Sequence, residues 1–89
     1  MTEIVYLNGK FMPITEAYVP VLDRGFIFGD GVYEVIPVYS RHPFRLDEHL
    51  QRLQYSLDKA RSTNPHSTAE WSRLLAEIVQ RNVGDDQSV

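Results

Sequence analysis

Asp23-Arg24-Gly25-Phe26-Ile27-Phe28-Gly29-Asp30-Gly31-Val32-Tyr33-Glu34-Val35, with Glu48-His49-Leu50-Gln51-Arg52-Leu53 downstream, is the most informative part of this 89-residue chain. Gly25, Gly29 and Gly31 punctuate the first stretch, and glycine reaches positive φ without steric cost, so a loop is expected there. Val32 to Ser40 is the longest β-prone run. Alternation along a strand places Tyr33, Val35, Pro37 and Tyr39 on one face and Val32, Glu34, Ile36 and Val38 on the other. Both faces are largely apolar, which predicts cover on both sides. In the second stretch Leu50, Leu53, Leu57 and Ala60 recur at helical spacing, with Arg52 beside the stripe. His49 lies three residues before Arg52, on an adjoining part of the same helix surface.

Upstream, Ile4 to Leu7 and Lys10 to Ile14 are short β-prone runs around Asn8-Gly9, a strong two-residue hairpin signal. Tyr18 to Leu22 is a further candidate strand, and Pro20 within it predicts an edge or an irregular segment. After Ser40 a turn is expected at Arg41-His42-Pro43, then a brief Phe44-Arg45-Leu46 strand. Asp47 and Glu48 suit the positive end of a helix dipole. Asn64-Pro65 breaks that helix. Ser67 and Glu70 have the spacing of a capping box for a second helix carrying Trp71, Leu74, Leu75, Ile78 and Val79 at i, i+3, i+4, i+7 and i+8. Gly84 fits a helix stop. The simplest packing is an α+β domain, a small antiparallel sheet covered by two helices. Gln87-Ser88-Val89 reads as the approach to another strand, and the expectation is a domain truncated before its last strands.

Composition bounds the function classes. Eighty-nine residues allow one domain, which buries roughly 60–65% of its unfolded surface. The net charge of −3 comes without a basic block, so there is no electrostatic footprint for nucleic acid. No apolar run approaches the ~20 residues of a membrane span, and the opening residues are not a secretory signal. Cysteine is absent, which excludes disulfides and thiolate metal sites and is compatible with a cytoplasmic location.

Several side chains could carry chemistry. Tyr33 reads either as a packed tyrosine with its hydroxyl bonded to backbone or as a phenol on a pocket wall. Arg52 reads either as a snorkelling cation, or a salt-bridge partner of Asp47 or Glu48, or as a planar fork for an anion such as phosphate. Glu34 would face the helices if its parity is the core side, and it then reads as a buried, paired carboxylate ahead of a general base. Gly29-Asp30-Gly31 lacks a Walker pattern and leads into a strand, so it reads as a turn. His42, His49 and His66 have no metal-ligand spacing. The two lysines, Lys10 and Lys59, both read as solvated.

The order of these motifs resembles the N-terminal part of the class IV (fold type IV) pyridoxal-phosphate aminotransferases, most closely the D-amino-acid transaminases. The resemblance runs from Tyr6-Leu7-Asn8-Gly9 through the Asp-Arg-Gly segment and Phe28 to Glu34, and on to Glu48-His49-Leu50-Gln51-Arg52-Leu53. It implies the cofactor pyridoxal 5'-phosphate in the full-length parent, with amino-acid and 2-oxo-acid substrates. It implies that Arg52 binds the cofactor phosphate and that Tyr33 lines the pocket for the substrate α-carboxylate. Val35 is implied to face that pocket and shape the side-chain site. A C-terminal domain is implied to supply the Schiff-base lysine, so residues 1–89 alone are expected to be inactive. Family members are homodimers, and the same is implied for the parent. Two other activities of the family stay open, branched-chain aminotransferase and aminodeoxychorismate lyase. From a different class, a stand-alone α+β binding module without catalysis also stays open.

Overall fold

The computed structural model describes residues 2–89, and the chain divides into two compact units, one ending at Gly31 and one beginning at Val32. In the first unit β1 (Ile4–Leu7) and β2 (Lys10–Pro13) pair antiparallel with Ile4 opposite Pro13 and Leu7 opposite Lys10. Asn8 and Gly9 both take positive φ, 50° and 88°, the type I′ geometry that the right-handed strand twist selects. Tyr6 and Phe11, directly opposite, pack edge to face at 5.0 Å.

Tyr18 to Leu22 is not a strand. Pro20 cannot donate to a ladder, and its carbonyl instead accepts from the Asp23 amide at 3.0 Å, which closes a turn. The Asp-Arg-Gly segment then has a local explanation. The Asp23 side chain accepts from the Gly25 amide at 2.8 Å and caps the single-turn helix α1 (Arg24–Ile27). A Cβ on Gly25 would sit 3.0 Å from Asp23 Oδ1, so that glycine serves a close approach. Of the three loop glycines only Gly29 takes positive φ, 66°. Arg24 pairs with Asp30 through Nε at 2.8 Å and Nη2 at 2.7 Å, and its guanidinium lies 4.7 Å from the Phe28 ring centroid.

In the second unit β3 (Pro37–Tyr39) is the centre of a three-stranded antiparallel sheet, flanked by β4 (His42–Pro43) and β5 (Gln87–Ser88). The long β-prone run therefore yields a strand only in its second half. Ile36 extends it through reciprocal bonds with Val89, at 2.6 and 3.0 Å. The turn falls at Ser40 and Arg41, both left-handed, one residue earlier than expected. It is held by Ser40 N–H to Asp86 Oδ1 (3.0 Å) and Arg41 N–H to the Asp85 carbonyl (2.6 Å). The expected Phe44-Arg45-Leu46 strand is absent. Phe44 still donates to the Pro37 carbonyl, but Arg45 turns left-handed and Leu46 opens α2 (Leu46–Lys59). Leu46 belongs to the helical stripe with Leu50, Leu53 and Leu57, and burial of that stripe outweighs local β-propensity.

Helix α3 (Thr68–Arg81) starts with the expected capping box: the Glu70 amide donates to Ser67 Oγ (3.1 Å) and the Ser67 amide to Glu70 Oε1 (2.9 Å). The two helices bury Leu50 and Leu75 against Ile36, with Leu46, Leu53, Trp71, Ile78 and Val89 packed around them. Val38 and Val79 are almost fully enclosed. The α+β class and the antiparallel sheet with two helices are thus as the sequence implied. Cover on both faces of the long run is not: Ile36 and Val38 are buried, whereas Tyr33, Val35 and Tyr39 are exposed. No helix among the described residues is long and apolar enough to cross a membrane.

Candidate functional site

Glu34 leaves the chain on the same side as Ile36 and Val38, two positions ahead of the core, and its side chain is only 9% exposed. A carboxylate so enclosed must find charged or hydrogen-bonding partners. Helix α2 supplies them. Arg52 donates from Nε to Glu34 Oε1 at 2.6 Å and from Nη2 to Oε2 at 2.8 Å, a bidentate fork. His49 Nδ1 lies 2.9 Å from the same Oε2. The Arg52 hydrogen bonds, and after them the His49 bond, hold the Glu34 pKa down to about 2, against the opposing effect of burial. Arg52 is raised in turn, mainly by its hydrogen bonds to Glu34 and by that carboxylate's charge.

These roles decide a tautomer. An ionised carboxylate only accepts, so the hydrogen between His49 and Glu34 sits on Nδ1. Arg52 Nη2, 3.4 Å from that nitrogen, therefore cannot donate to it. Arg52 carries five N–H groups, and Glu34 engages two of them. The Nη1 end of the fork is not used by Glu34.

Glu48, His49 and Arg52 of α2, with the left-handed Arg45 just ahead of its first residue, line an open depression of about 380 Å³. Arg45 and Glu48 approach at 3.5 Å, a loose exposed pair. Two guanidiniums, one already oriented and with its outer N–H groups available, suit a multidentate anion such as a phosphate monoester. The donor set thus fits the phosphate of the cofactor that the resemblance implied.

The ion pair has a pH signature. The folded Glu34 pKa lies below its ordinary 4.5, so its contribution to stability is complete above about pH 4.5 and disappears as pH falls through about 2. With the guanidinium 64% exposed and screened, about 1–2 kcal/mol is expected to be lost in that window. Acid unfolding of wild type and Glu34→Gln should differ by this amount at pH 7 and converge below pH 2. A constant difference across the whole range would contradict the assignment.

Arg52 is paired, but with Glu34 and not with Asp47 or Glu48; Glu48 lies nearer Arg45. Tyr33 is 84% exposed, which removes its reading as a packed tyrosine, and Val35 is 56% exposed on the same parity. The structure thus brings Arg52 together with Glu34 and His49. His49 was missing from the expected site. The available signal was an acidic residue on the core parity together with His and Arg three apart on a helix. Lys10 and Lys59 are exposed, the latter with Nζ 5.2 Å from the Tyr55 ring centroid. Among the described residues no group of His, Asp or Glu could hold a metal ion.

Comparison with known proteins identifies the family. Residues 31–86, more than half of the chain, match the family described as Amino-transferase class IV. The chain is 44% identical over 78 residues to a D-alanine aminotransferase of Bacillus licheniformis, covering 88% of this chain and 28% of that protein. It is 38% identical over 80 residues to a D-alanine aminotransferase of Staphylococcus aureus (strain N315), covering 90% and 28%. A crystal structure of a branched-chain aminotransferase from Thermoproteus uzoniensis with norvaline superposes with a TM-score of 0.85 at 29% identity, covering 99% of this chain and 31% of that one. The chain spans little more than a quarter of the length of the curated relatives it matches. By its matched sequence pattern and its fold, it belongs to the class IV aminotransferases.

Proposed function

We propose that residues 1–89 form the small N-terminal domain of a pyridoxal-phosphate-dependent transaminase that moves an amino group between a D-amino acid and a 2-oxo acid. The observation that carries this reading is the Arg52 fork, oriented by Glu34 with its outer end open to a depression shared with Arg45. When bound, pyridoxal 5'-phosphate supplies the carbonyl carbon that takes up the amino group and the electron sink that loosens the substrate Cα–H bond. Arg52 holds its phosphate. Tyr33 and Val35, exposed on the other parity of the same segment, offer a phenol for the substrate α-carboxylate and an apolar wall for its side chain.

Lys10 and Lys59 stand on a hairpin and at a helix end, so the Schiff-base lysine is assigned to a C-terminal domain outside these residues. The D-amino-acid preference is supported by 38–44% identity to D-alanine aminotransferases. The archaeal branched-chain structure, at 29%, favours the second reading of a branched-chain enzyme. A homodimeric, cytoplasmic parent completes the proposal.

The protein expressed from its complete reading frame, supplied with pyridoxal 5'-phosphate, is expected to convert D-alanine with 2-oxoglutarate. Turnover of L-valine with no turnover of D-alanine would replace the first reading by the second. Turnover of neither, with no cofactor bound, would reject both. Tyr33→Phe is expected to raise KM for the amino acid about tenfold, the value of one hydrogen bond to a charged group, with the bound-cofactor spectrum intact. Loss of cofactor in that variant would count against the division of roles between Tyr33 and Arg52.

A further inference from the structure

We infer that Glu34 is the positioning residue of this anion site: it clamps the Arg52 guanidinium side-on, so that the outer end of the fork faces the ligand. The inference rests on the reading that Arg52 grips the cofactor phosphate. Arg52 stands on an exposed stretch of α2, with its side chain 64% exposed, and such an arginine samples many rotamers. Binding through an unheld side chain would require ordering it at that moment. Glu34 orders it beforehand. Its carboxylate is enclosed, engages Arg52 Nε and Nη2 together, and is itself held by His49 Nδ1 on the same helix. The backbone two residues on is tied to Val89 by reciprocal bonds at Ile36, so the clamp is mounted on the sheet. Bidentate pairing fixes both the direction and the plane of the guanidinium, which a single contact would not.

The sign of the effect separates this role from simple electrostatics. Glu34 is an anion beside an anion site. If it acted only through space, removing its charge would tighten phosphate binding. If it acts by holding Arg52, removing its second acceptor loosens phosphate binding despite the gain in positive charge.

The test uses the protein expressed from its complete reading frame and two probes, pyridoxal 5'-phosphate and pyridoxal, whose Kd ratio isolates the phosphate contribution. Glu34→Gln is expected to shrink that ratio about tenfold, as is Glu34→Asp, which keeps the charge but withdraws it by one methylene. Arg52→Ala should shrink it at least as far, and Glu34→Gln added to Arg52→Ala should do nothing more. Nitrogen NMR of His49 should show the Nδ1–H tautomer in the wild type and lose it in Glu34→Gln. Circular dichroism of each variant identifies any that fails to fold, in which case Glu34→Asp, the milder change, carries the test. An unchanged or larger ratio in folded Glu34→Gln or Glu34→Asp, with Arg52→Ala effective, would overturn the inference while leaving the phosphate assignment standing. An ineffective Arg52→Ala would overturn that assignment itself and the inference with it.

Discussion

Leu50→Ala is expected to lower the unfolding free energy of the unit from Val32 onward by about 2–5 kcal/mol. Leu50 is 7% exposed and meets Ile36 of the sheet segment and Leu75 of α3, so one side chain joins three elements. Its loss removes the transfer energy of three carbons and leaves a cavity that Leu46 and Leu53, fixed on the same helix, cannot fill by small movements. Domains of this size have only about 5–15 kcal/mol in total, so the variant should approach the unfolding threshold at physiological temperature. Urea unfolding monitored by Trp71 fluorescence, with Tyr55→Ala as a control on the 59%-exposed side of the same helix, measures it. The control should fall within about 0.5 kcal/mol of wild type. A Leu50→Ala cost no larger than that of the control would mean that this cluster is not the core.

Arg52→Ala is expected to weaken cofactor binding by about 1.5–3 kcal/mol, the usual worth of a charge-assisted hydrogen bond. The variant also leaves Glu34 with His49 alone, so its carboxylate should titrate higher than in the wild type. Binding must therefore be measured on protein shown to be folded. Arg52→Lys restores the charge without the planar fork. It cannot engage Glu34 through two donors while presenting others outward in one plane, so it should recover only part of the loss. Equilibrium titration with pyridoxal 5'-phosphate at fixed salt reads both variants. Unchanged affinity in Arg52→Ala would remove Arg52 from the cofactor site.

Glu34 shows how far the site could be read from residue order alone. Strand alternation, a local rule, groups it with Ile36 and Val38, but only the burial of that face makes it an enclosed, paired carboxylate. Its partners could not be named. Asp47 and Glu48 were nearer to Arg52 along the chain, whereas Glu34 and Arg52 are 18 residues apart and meet only when α2 packs beside the segment leading into β3. The role of His49 was not legible for the same reason, since an isolated helix offers its ring no acceptor.

The turns divide along the same line. Asn8-Gly9 was legible because those two residues tolerate the left-handed region, and the hairpin formed with the geometry they favour. Ser40-Arg41 adopts the same handedness without a residue type that announces it. Asp85 and Asp86, more than forty positions away in the chain, hold it. The capping box at Ser67 and Glu70 was likewise determined by sequence, because its energetics are complete within one helical turn, and the leucine periodicity of α2 was legible because helical spacing marks the face to be buried. Where β-propensity met a competing long-range demand, tertiary structure decided. Leu46 joined the helix and the core in place of a strand, and Arg52 found a carboxylate brought from another element. Local rules determine what a segment can do alone; burial and charge pairing across elements settle which option it takes.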